Sequence, residues 1–320
     1  MPAAGAGHRA AGPDAEGFGA RLANAVARRE SQIVVGVDPD PRAVWPAALE
    51  TRAALIDSLA AAAHAAGTDP DAERIETAVA VLAHSLALID AAAPACVAAK
   101  PQLAFFERLG FAGWLALERI CAHARDAGLL VIADAKRGDV PSTAAAYSEA
   151  LTGPSGLRAD AITANPLLGR DALAPLVAGA RDNRAGVFML VRTSNPGAGD
   201  VFDLELASGE PLWERLAAMA AELGEGEPLA DVGAVTGATF PEHLARMREL
   251  MPRTPFLLPG IGAQGGDVAS LAPAFAPGRA AGLVSASRSI ANAHREHGGD
   301  PADAARREAE RLRDAAWRLV

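Results

Sequence analysis

The stretch LLVIADAKRGDVPSTAAAYSEAL, residues 129–151, joins an apolar run, a cluster of charges and an Ala-rich segment. The first five residues have the length and composition of a buried strand. Residues 141–143, Pro-Ser-Thr, are typical of a helix N-terminus. The stretch therefore predicts a strand–loop–helix unit whose charges, from Asp134 to Asp139, lie where the strand ends.

The same unit recurs along the chain, with short β-rich runs alternating with longer segments of helical periodicity. Predicted strands are Ile33–Asp38, Cys96–Lys100, Leu129–Lys136, Ala161–Asn165, Val187–Thr193, Val232–Thr239, Phe256–Pro259 and Gly282–Ser287. Predicted helices include Arg52–Ala66, Ile75–Ala92, Gly113–Ala127, Pro141–Leu151, Pro241–Leu250 and a closing helix within Pro301–Val320. Eight repeats in an α/β chain favour a single-domain (β/α)8 TIM barrel, with an open doubly wound sheet as the alternative.

Composition and charge argue against several classes of function and site. The chain has 320 residues and a formal charge of −9, which argues against a broad nucleic-acid-binding face. Two cysteines without CxxC spacing give no reason to expect a zinc site or a disulfide framework. Residues 1–16 are rich in Ala, Gly and Pro and are expected to form a disordered tail before a barrel domain at residues 17–320. The chain has no uninterrupted run of about 18 apolar residues, the length that would predict a membrane span. We therefore expect a soluble cytoplasmic protein.

Lysine usage is unusual. Of 30 basic residues only Lys100 and Lys136 are lysines, and both fall at predicted strand ends. A genome-wide preference for arginine can explain the bias, but arginine is a poor substitute where chemistry needs a compact ammonium that can release a proton. The two lysines are therefore candidate catalytic groups.

Polar residues end most of the predicted strands, and in a TIM barrel these ends form the active-site face. They are Asp38, Lys100, Asp134 with Lys136, Asn165, Arg192 to Asn195, Thr239, Gln264 and Arg288. Asp134 and Lys136 are two residues apart on one strand and should point the same way. Either residue alone could belong to a surface salt bridge, but the convergence of so many strand ends favours a site.

The segment Asp134-Ala-Lys-Arg-Gly-Asp139 resembles the D-x-K-x-x-D signature of the orotidine 5'-monophosphate decarboxylase family. Further segments resemble its longer, type 2, actinobacterial-like branch, in the family's order and over nearly the whole chain. They are Lys100-Pro-Gln-Leu-Ala-Phe-Phe-Glu-Arg, Asn165-Pro-Leu-Leu-Gly169, Val191-Arg-Thr-Ser-Asn-Pro-Gly197, Gly237-Ala-Thr239, Leu258-Pro-Gly-Ile-Gly-Ala-Gln-Gly-Gly266 and Ser287-Arg-Ser-Ile290. Departures, such as a longer segment between Asp38 and Lys100, touch no charged catalytic position.

The resemblance implies a cofactor-free and metal-free lyase that converts orotidine 5'-monophosphate to UMP and CO2 in pyrimidine biosynthesis. Lys136 would protonate C6 of the pyrimidine, and Asp134 would lie near the substrate carboxylate. Lys100 would hold Asp134 and contact the ribose. Asp139 would act across the interface of a homodimer.

The remaining implied contacts are with the substrate. The resemblance implies that Asp38 hydrogen-bonds a ribose hydroxyl and that Ser194 binds the amide edge of the pyrimidine. Thr143 would reach the site from the partner chain, and Asn165 would line it.

The residues that bind the substrate phosphate can be predicted from the fold. The loops after strands seven and eight usually bind phosphate in this fold, and here they carry Gly262, Gln264, Gly265, Gly266 and Arg288. The glycines let backbone N–H groups approach an anion, while Gln264 and Arg288 add directed donors. Residues 260–265 also match G-x-G-x-x-G, but the acidic partner expected about 20 residues later in a dinucleotide fold is missing.

Three other functions remain open. A Schiff-base aldolase would need Lys136 neutral, whereas carboxylates on both sides favour its ammonium form. A metal-dependent sugar-phosphate decarboxylase or hexulose-phosphate synthase shares the barrel and the Asp-x-Lys-x-x-Asp motif, but the context of Lys100 speaks against it. A phosphate-binding barrel without chemistry is the third.

Overall fold

The computed structural model describes residues 16–65, 71–238, 241–261 and 268–320. It contains one closed barrel of eight parallel strands in the order of the sequence, with β8 pairing back to β1. The strands are β1 Ile33–Val37, β2 Ala98–Pro101, β3 Leu130–Arg137, β4 Ala161–Ala164, β5 Gly186–Arg192, β6 Val232–Thr236, β7 Phe256–Pro259 and β8 Gly282–Ala286. The predicted (β/α)8 barrel is confirmed, and all eight predicted strands are present.

Helices surround this barrel. They are α1 Phe18–Arg29, α2 Arg52–Ala65, α3 Ala72–Ala92, α4 Ala104–Glu107, α5 Gly110–Asp126, α6 Pro141–Thr152, α7 Arg170–Asp182, α8 Gly199–Phe202, α9 Leu212–Leu223, α10 Pro241–Leu250, α11 Arg288–Ala291, α12 Ala293–His297 and α13 Pro301–Trp317. The predicted cap of the last helix is present, since the Asp300 side chain accepts from the N–H groups of Ala302 and Asp303. A 3-10 helix at Val268–Phe275, rather than an α-helix, lies between β7 and β8.

Two apolar layers hold the barrel. The outer layer lies between strands and helices, and the inner layer fills the barrel and continues into α1. Phe18 of α1 packs edge-to-face on Phe188 of β5, with ring centroids 5.9 Å apart. Since Phe18 also lies close to Gly186, at the start of β5, α1 covers the N-terminal end of the barrel and leaves the C-terminal end open.

The segment Ala72–Ala95, which contains α3, is long and apolar enough by composition to cross a membrane, but 72% of its apolar window is buried within the fold. It packs mainly on α5, α2 and α13, so its apolar character is explained by the outer layer of the core. The predicted tail, residues 1–16, lies outside the described residues except for Glu16.

Candidate active site

The inner layer determines which strand residues reach the open end of the barrel. Ala98 of β2 and Ile132 of β3 pack inside the barrel. Because strand side chains alternate between faces, Lys100 and Asp134, two residues further on, point to the same interior. Asp38 follows β1 with the same phase as Val34, another interior residue. These three charged side chains therefore converge at the C-terminal mouth.

Two lysines and one aspartate are in direct contact there. Lys100 Nζ lies 2.6 Å from Asp134 Oδ2, and Lys136 Nζ lies 2.6 Å from Asp134 Oδ1. Lys100 and Asp134 are 6% and 5% exposed, whereas the Lys136 side chain is 43% exposed. We call this group, Lys100, Asp134 and Lys136, the charge array. Its two inner members are sealed in the fold, and its outer ammonium opens toward the mouth.

Burial and neighbouring charges shift the pKa values of Asp134 and Lys100 in opposite directions. Burial by itself would raise the pKa of Asp134, but the positive charges of Lys100 and Lys136 outweigh it and hold that pKa well below its usual range. Burial by itself would lower the pKa of Lys100, but Asp134 and Asp38 outweigh it and raise that pKa. The carboxylate and the buried ammonium are therefore both charged at neutral pH.

Lys136 reaches its position through an irregular strand. Between the pairs Ala133–Ile162 and Arg137–Ala164, β3 advances four residues while β4 advances two, so β3 bulges there. Lys136 has a φ of 48°, in the left-handed region that non-glycine residues rarely adopt. The predicted proximity of Asp134 and Lys136 is therefore present, but a bulge produces it rather than simple strand alternation.

The loops after β3 and β4 carry two further predicted site residues. Asp139 is half-buried and accepts a hydrogen bond from the Val140 N–H at 2.7 Å. Asn165 donates its backbone N–H to Arg137 O at 2.7 Å, and its side chain accepts from the Leu167 N–H. Within the described part of the chain, no ion pair joins Asp139 to either lysine. The array of one chain thus lacks the fourth charge of the predicted set.

The loop after β5 carries Ser194 and is held at both ends. Arg192, 3% exposed at the end of β5, forms two hydrogen bonds of 2.8 and 2.7 Å with the Asp203 carboxylate. Gly237, just after β6, approaches so closely that an added Cβ would lie 2.8 Å from Ser194 Cα. The ion pair and the close approach together fix where Ser194 stands at the mouth.

A cavity of about 470 Å³ opens between the ends of β1 and β8, within the range of small-ligand sites. Its lining includes Asp38 and Arg288, two of the predicted contacts, together with Phe105 and Arg108 from the segment after β2. The Asp38 Oδ1 atom is buried and accepts no hydrogen bond from the described residues. A ligand hydroxyl could supply the missing donor, since buried acceptors are normally paired.

Four predicted phosphate contacts, Gly262, Gln264, Gly265 and Gly266, lie outside the described residues, as does Thr239. Arg288 is described, begins α11 and is exposed. Thr143 lies in the first turn of α6, half-buried and beyond Asp139. Among the described residues, no three His, Cys, Asp or Glu side chains form a group that could hold a metal ion.

Known proteins match this chain over the region that contains the site. The model of the orotidine 5'-phosphate decarboxylase / HUMPS family matches residues 31–307, which include the whole charge array. The chain belongs to this family. An orotidine 5'-phosphate decarboxylase of Deinococcus radiodurans is 44% identical over 254 residues, 78% of this chain and 89% of the relative. One of Roseiflexus castenholzii is 41% identical over 92% of this chain and 95% of the relative.

Solved structures in the family have the same fold. A crystal structure of a Streptomyces avermitilis protein, assigned as an orotidine 5'-phosphate decarboxylase, superposes with a TM-score of 0.75 at 36% identity. The match covers 96% of both chains. The family prediction is confirmed; the assignment to its longer branch stays a prediction.

Two features of the site were not predicted. Thr163 of β4 is 1% exposed and hydrogen-bonds to Asp134 Oδ1, and the Arg192–Asp203 ion pair closes the loop after β5. Thr163 precedes Asn165 by two residues, so the alternation of polar residues at this strand end was the available signal. Asp203 had no comparable signal, because its contact depends on how the loop folds back.

Proposed function

We propose that the chain decarboxylates orotidine 5'-monophosphate to UMP and CO2 without a metal or an organic cofactor, a reaction of de novo pyrimidine biosynthesis. The observation that carries the proposal is the charge array, in which one buried carboxylate contacts two ammonium groups at 2.6 Å. The named activity of relatives 41–44% identical to the chain supports the choice of substrate.

Decarboxylation leaves an electron pair on C6 of the pyrimidine, and the array suits both stabilising that pair and quenching it. The bond between C6 and the carboxylate carbon breaks, CO2 leaves, and the electron pair stays on C6. The Lys136 ammonium, exposed toward the mouth, stabilises the developing charge and then transfers a proton from Nζ to C6. Lys136 regains its proton from solvent, which completes the cycle.

Asp134 contributes by repulsion and by positioning. A substrate carboxylate about 4 Å from the Asp134 carboxylate would be destabilised by about 4 kcal/mol at an effective dielectric near 20. This repulsion disappears as neutral CO2 forms, so it favours the transition state over the bound substrate. Lys100 keeps Asp134 ionised and in place and also reaches the ribose.

The rest of the substrate extends along the mouth. Asp38, whose buried Oδ1 has no hydrogen-bond partner among the described residues, accepts a hydrogen bond from a ribose hydroxyl. Ser194 reads the pyrimidine amide edge from the loop that Arg192 and Asp203 hold, and Asn165 lines the site. Arg288 binds the phosphate together with Gly262, Gln264, Gly265 and Gly266. Remote phosphate binding holds the ring against the array.

A homodimer completes the site. The loops after β3 and β4 expose three large apolar side chains, Val140, Leu167 and Leu168, at 53%, 56% and 47%. Val140 directly follows Asp139, and the two loops are neighbours, since a Cβ added at Gly138 would lie 3.1 Å from Asn165 Cβ. Asp139 makes no ion pair with either lysine within the described part of its own chain. Burying this apolar surface between two copies would bring the Asp139 carboxylate of one copy, with Thr143, to the array of the other.

Mixing two inactive variants tests the shared site. Lys136→Ala and Asp139→Ala are purified separately, then unfolded, mixed in equal amounts and refolded. If each site takes Lys136 from one chain and Asp139 from the other, half of the dimers carry one intact site, which restores about a quarter of wild-type activity. A site contained in one chain would restore none, and this result would refute the shared site.

The substrate and the absence of a metal are tested together. We expect the purified chain to consume orotidine 5'-monophosphate, followed by its absorbance, at the same rate with and without EDTA. The matched arm offers a hexulose phosphate with Mg²⁺, the conditions of the metal-dependent relatives. Turnover of the sugar phosphate alone would replace the proposed function with that rival, and loss of nucleotide turnover in EDTA would overturn the metal-free mechanism.

Three further assignments accompany this proposal. We assign residues 17–320 to one barrel domain, treat residues 1–16 as a segment outside that domain, and place the protein in the cytoplasm. Limited proteolysis that removes only the tail and leaves activity intact is the expected result for the first two.

A further inference from the structure

The bulge in β3 leaves a backbone group without its usual strand partner. Where β3 advances four residues against two on β4, regular pairing between these strands is interrupted. The Lys136 N–H lies in this interval and donates instead to the side chain of Thr163, at 2.9 Å from Oγ1. Thr163 therefore takes the place of a strand-to-strand hydrogen bond at the residue that carries the proposed proton donor.

The direction of each hydrogen bond follows from the groups involved. A backbone N–H can only donate, so Thr163 Oγ1 accepts from Lys136. The Asp134 carboxylate, with its lowered pKa, can only accept, so the Thr163 hydroxyl hydrogen points to Asp134 Oδ1, 2.8 Å away. One hydroxyl thus connects the backbone of Lys136 to the carboxylate of Asp134.

The location of Thr163 makes this connection rigid. Its side chain is on the interior face of β4 and is 1% exposed, so water does not compete for the hydroxyl. The Asp134 Oδ1 atom that receives the hydroxyl is the same atom that receives Lys136 Nζ. Rotation of the Asp134 carboxylate would break both contacts, and the left-handed Lys136 backbone is held by its bond to Thr163.

We propose that Thr163 is a positioning residue of the decarboxylase site, which fixes the Asp134 carboxylate and the bulged backbone of Lys136 relative to each other. Thr163 does not contact the substrate. It acts through two residues whose separation and orientation determine how the developing charge at C6 is met. This inference rests on the proposed function and adds a residue to its machinery.

Substitution with valine tests the proposal, because Thr163→Val keeps the shape and removes the hydroxyl. We expect kcat for orotidine 5'-monophosphate to fall about 10- to 100-fold, the range for losing a hydrogen bond to a charged group. KM should stay within about threefold, since no substrate contact is lost. Thr163→Ser restores the hydroxyl and should recover most of kcat.

Thr236 provides a matched control. It is also a fully buried threonine at a barrel strand end, but its Oγ1 has no hydrogen-bond partner among the described residues. Thr236→Val should therefore leave kcat and KM at wild-type values, which separates the loss of the connecting hydrogen bonds from a general effect of removing a buried hydroxyl.

Three results would overturn the inference: a Thr163→Val kcat within twofold of wild type, a loss carried entirely by KM, or a Ser variant as impaired as the Val variant. If Thr163→Val fails to fold, Thr163→Ala is judged by the same criteria. A wild-type chain that does not consume the nucleotide would instead refute the proposed function, so the two failures are distinguishable.

Discussion

Replacing Asp134 with Asn leaves two lysines without the carboxylate that both of them contact. Lys100 is 6% exposed, and its ammonium would remain buried with no ion pair to Asp134. Removing one partner of a buried ion pair typically costs about 3–5 kcal/mol, because the remaining charge loses its main compensation, and among the described residues only Asp38 would still favour the Lys100 ammonium. For 320 residues, with an unfolding entropy of about 2.1 cal/mol/K per residue, that corresponds to a fall in Tm of roughly 4–8 °C.

The double variant Lys100→Met/Asp134→Asn makes the prediction specific. Removing both members of the pair takes away the uncompensated charge, so the double variant should be more stable than the sum of the two single effects by about 1–3 kcal/mol. Urea unfolding of the wild type, both single variants and the double variant measures this coupling. All three variants should be inactive.

An exposed ion pair serves as the control for this cycle. Arg253 and Glu227 are 2.7 Å apart, with side chains 47% and 75% exposed. Arg253→Met and Glu227→Gln should combine additively, because solvent screens such pairs. If the Lys100–Asp134 cycle is also additive within about 0.5 kcal/mol, the array is not an energetically coupled buried unit, and the reasoning is refuted.

The stability difference between the wild type and Asp134→Asn should depend on pH in a definite direction. The folded-state pKa of Asp134 lies below its unfolded value, so its stabilisation is fully present above about pH 4 and is lost as pH falls toward the folded-state pKa. The folded-state pKa of Lys100 is raised, so its stabilisation persists up to about pH 10.5 and is lost only above it. The stability difference between wild type and Asp134→Asn should therefore be constant near neutrality and shrink in acid.

Three further predictions concern other parts of the barrel. Arg248 is buried and donates to the carbonyls of four residues, so Arg248→Met should lower the free energy of unfolding by at least about 3 kcal/mol. Arg246, with a side chain 49% exposed, pairs with Glu214 and Glu249 near the surface, and Arg246→Met should cost less than about 1 kcal/mol. Burial lowers the pKa of His84 to about 4, with His294 contributing, so the unfolded chain takes up a proton that the folded chain does not. Stability should then fall by about 3 kcal/mol between pH 6.5 and 4 in urea unfolding, and His84→Gln should lack this part of the decline. Gly237→Ala should displace Ser194 and raise KM while circular dichroism shows an intact fold.

The sequence predicts the barrel well because parallel strands are buried on both faces and read as apolar runs. Observed strand limits lie within three residues of the prediction, and Phe256–Pro259 agrees at both ends. The position of α1 across the N-terminal end of the barrel was not predicted. Its helical character is local, but its position depends on Phe18 meeting Phe188, a contact between residues 170 apart in sequence.

The candidate site was predictable to the extent that it lies at strand ends. Strand phase and barrel topology predicted that Lys100, Asp134 and Lys136 lie at the same end of the barrel, and the family resemblance added the contact between Lys100 and Asp134. The bulge could not, because it depends on the register between β3 and β4. The role of Thr163 follows from that bulge, and so it becomes visible only in the folded chain.

Lys136 is the central claim of the account, and its removal is the most direct test. The measurement is the rate of orotidine 5'-monophosphate loss in EDTA for the wild type and Lys136→Ala, with UMP binding measured on both. We predict rapid turnover by the wild type and none detectable by Lys136→Ala, although the variant remains folded and binds UMP. Turnover by Lys136→Ala within about tenfold of wild type, the effect of only about 1.4 kcal/mol on the barrier, would contradict the assignment of Lys136 as the proton donor.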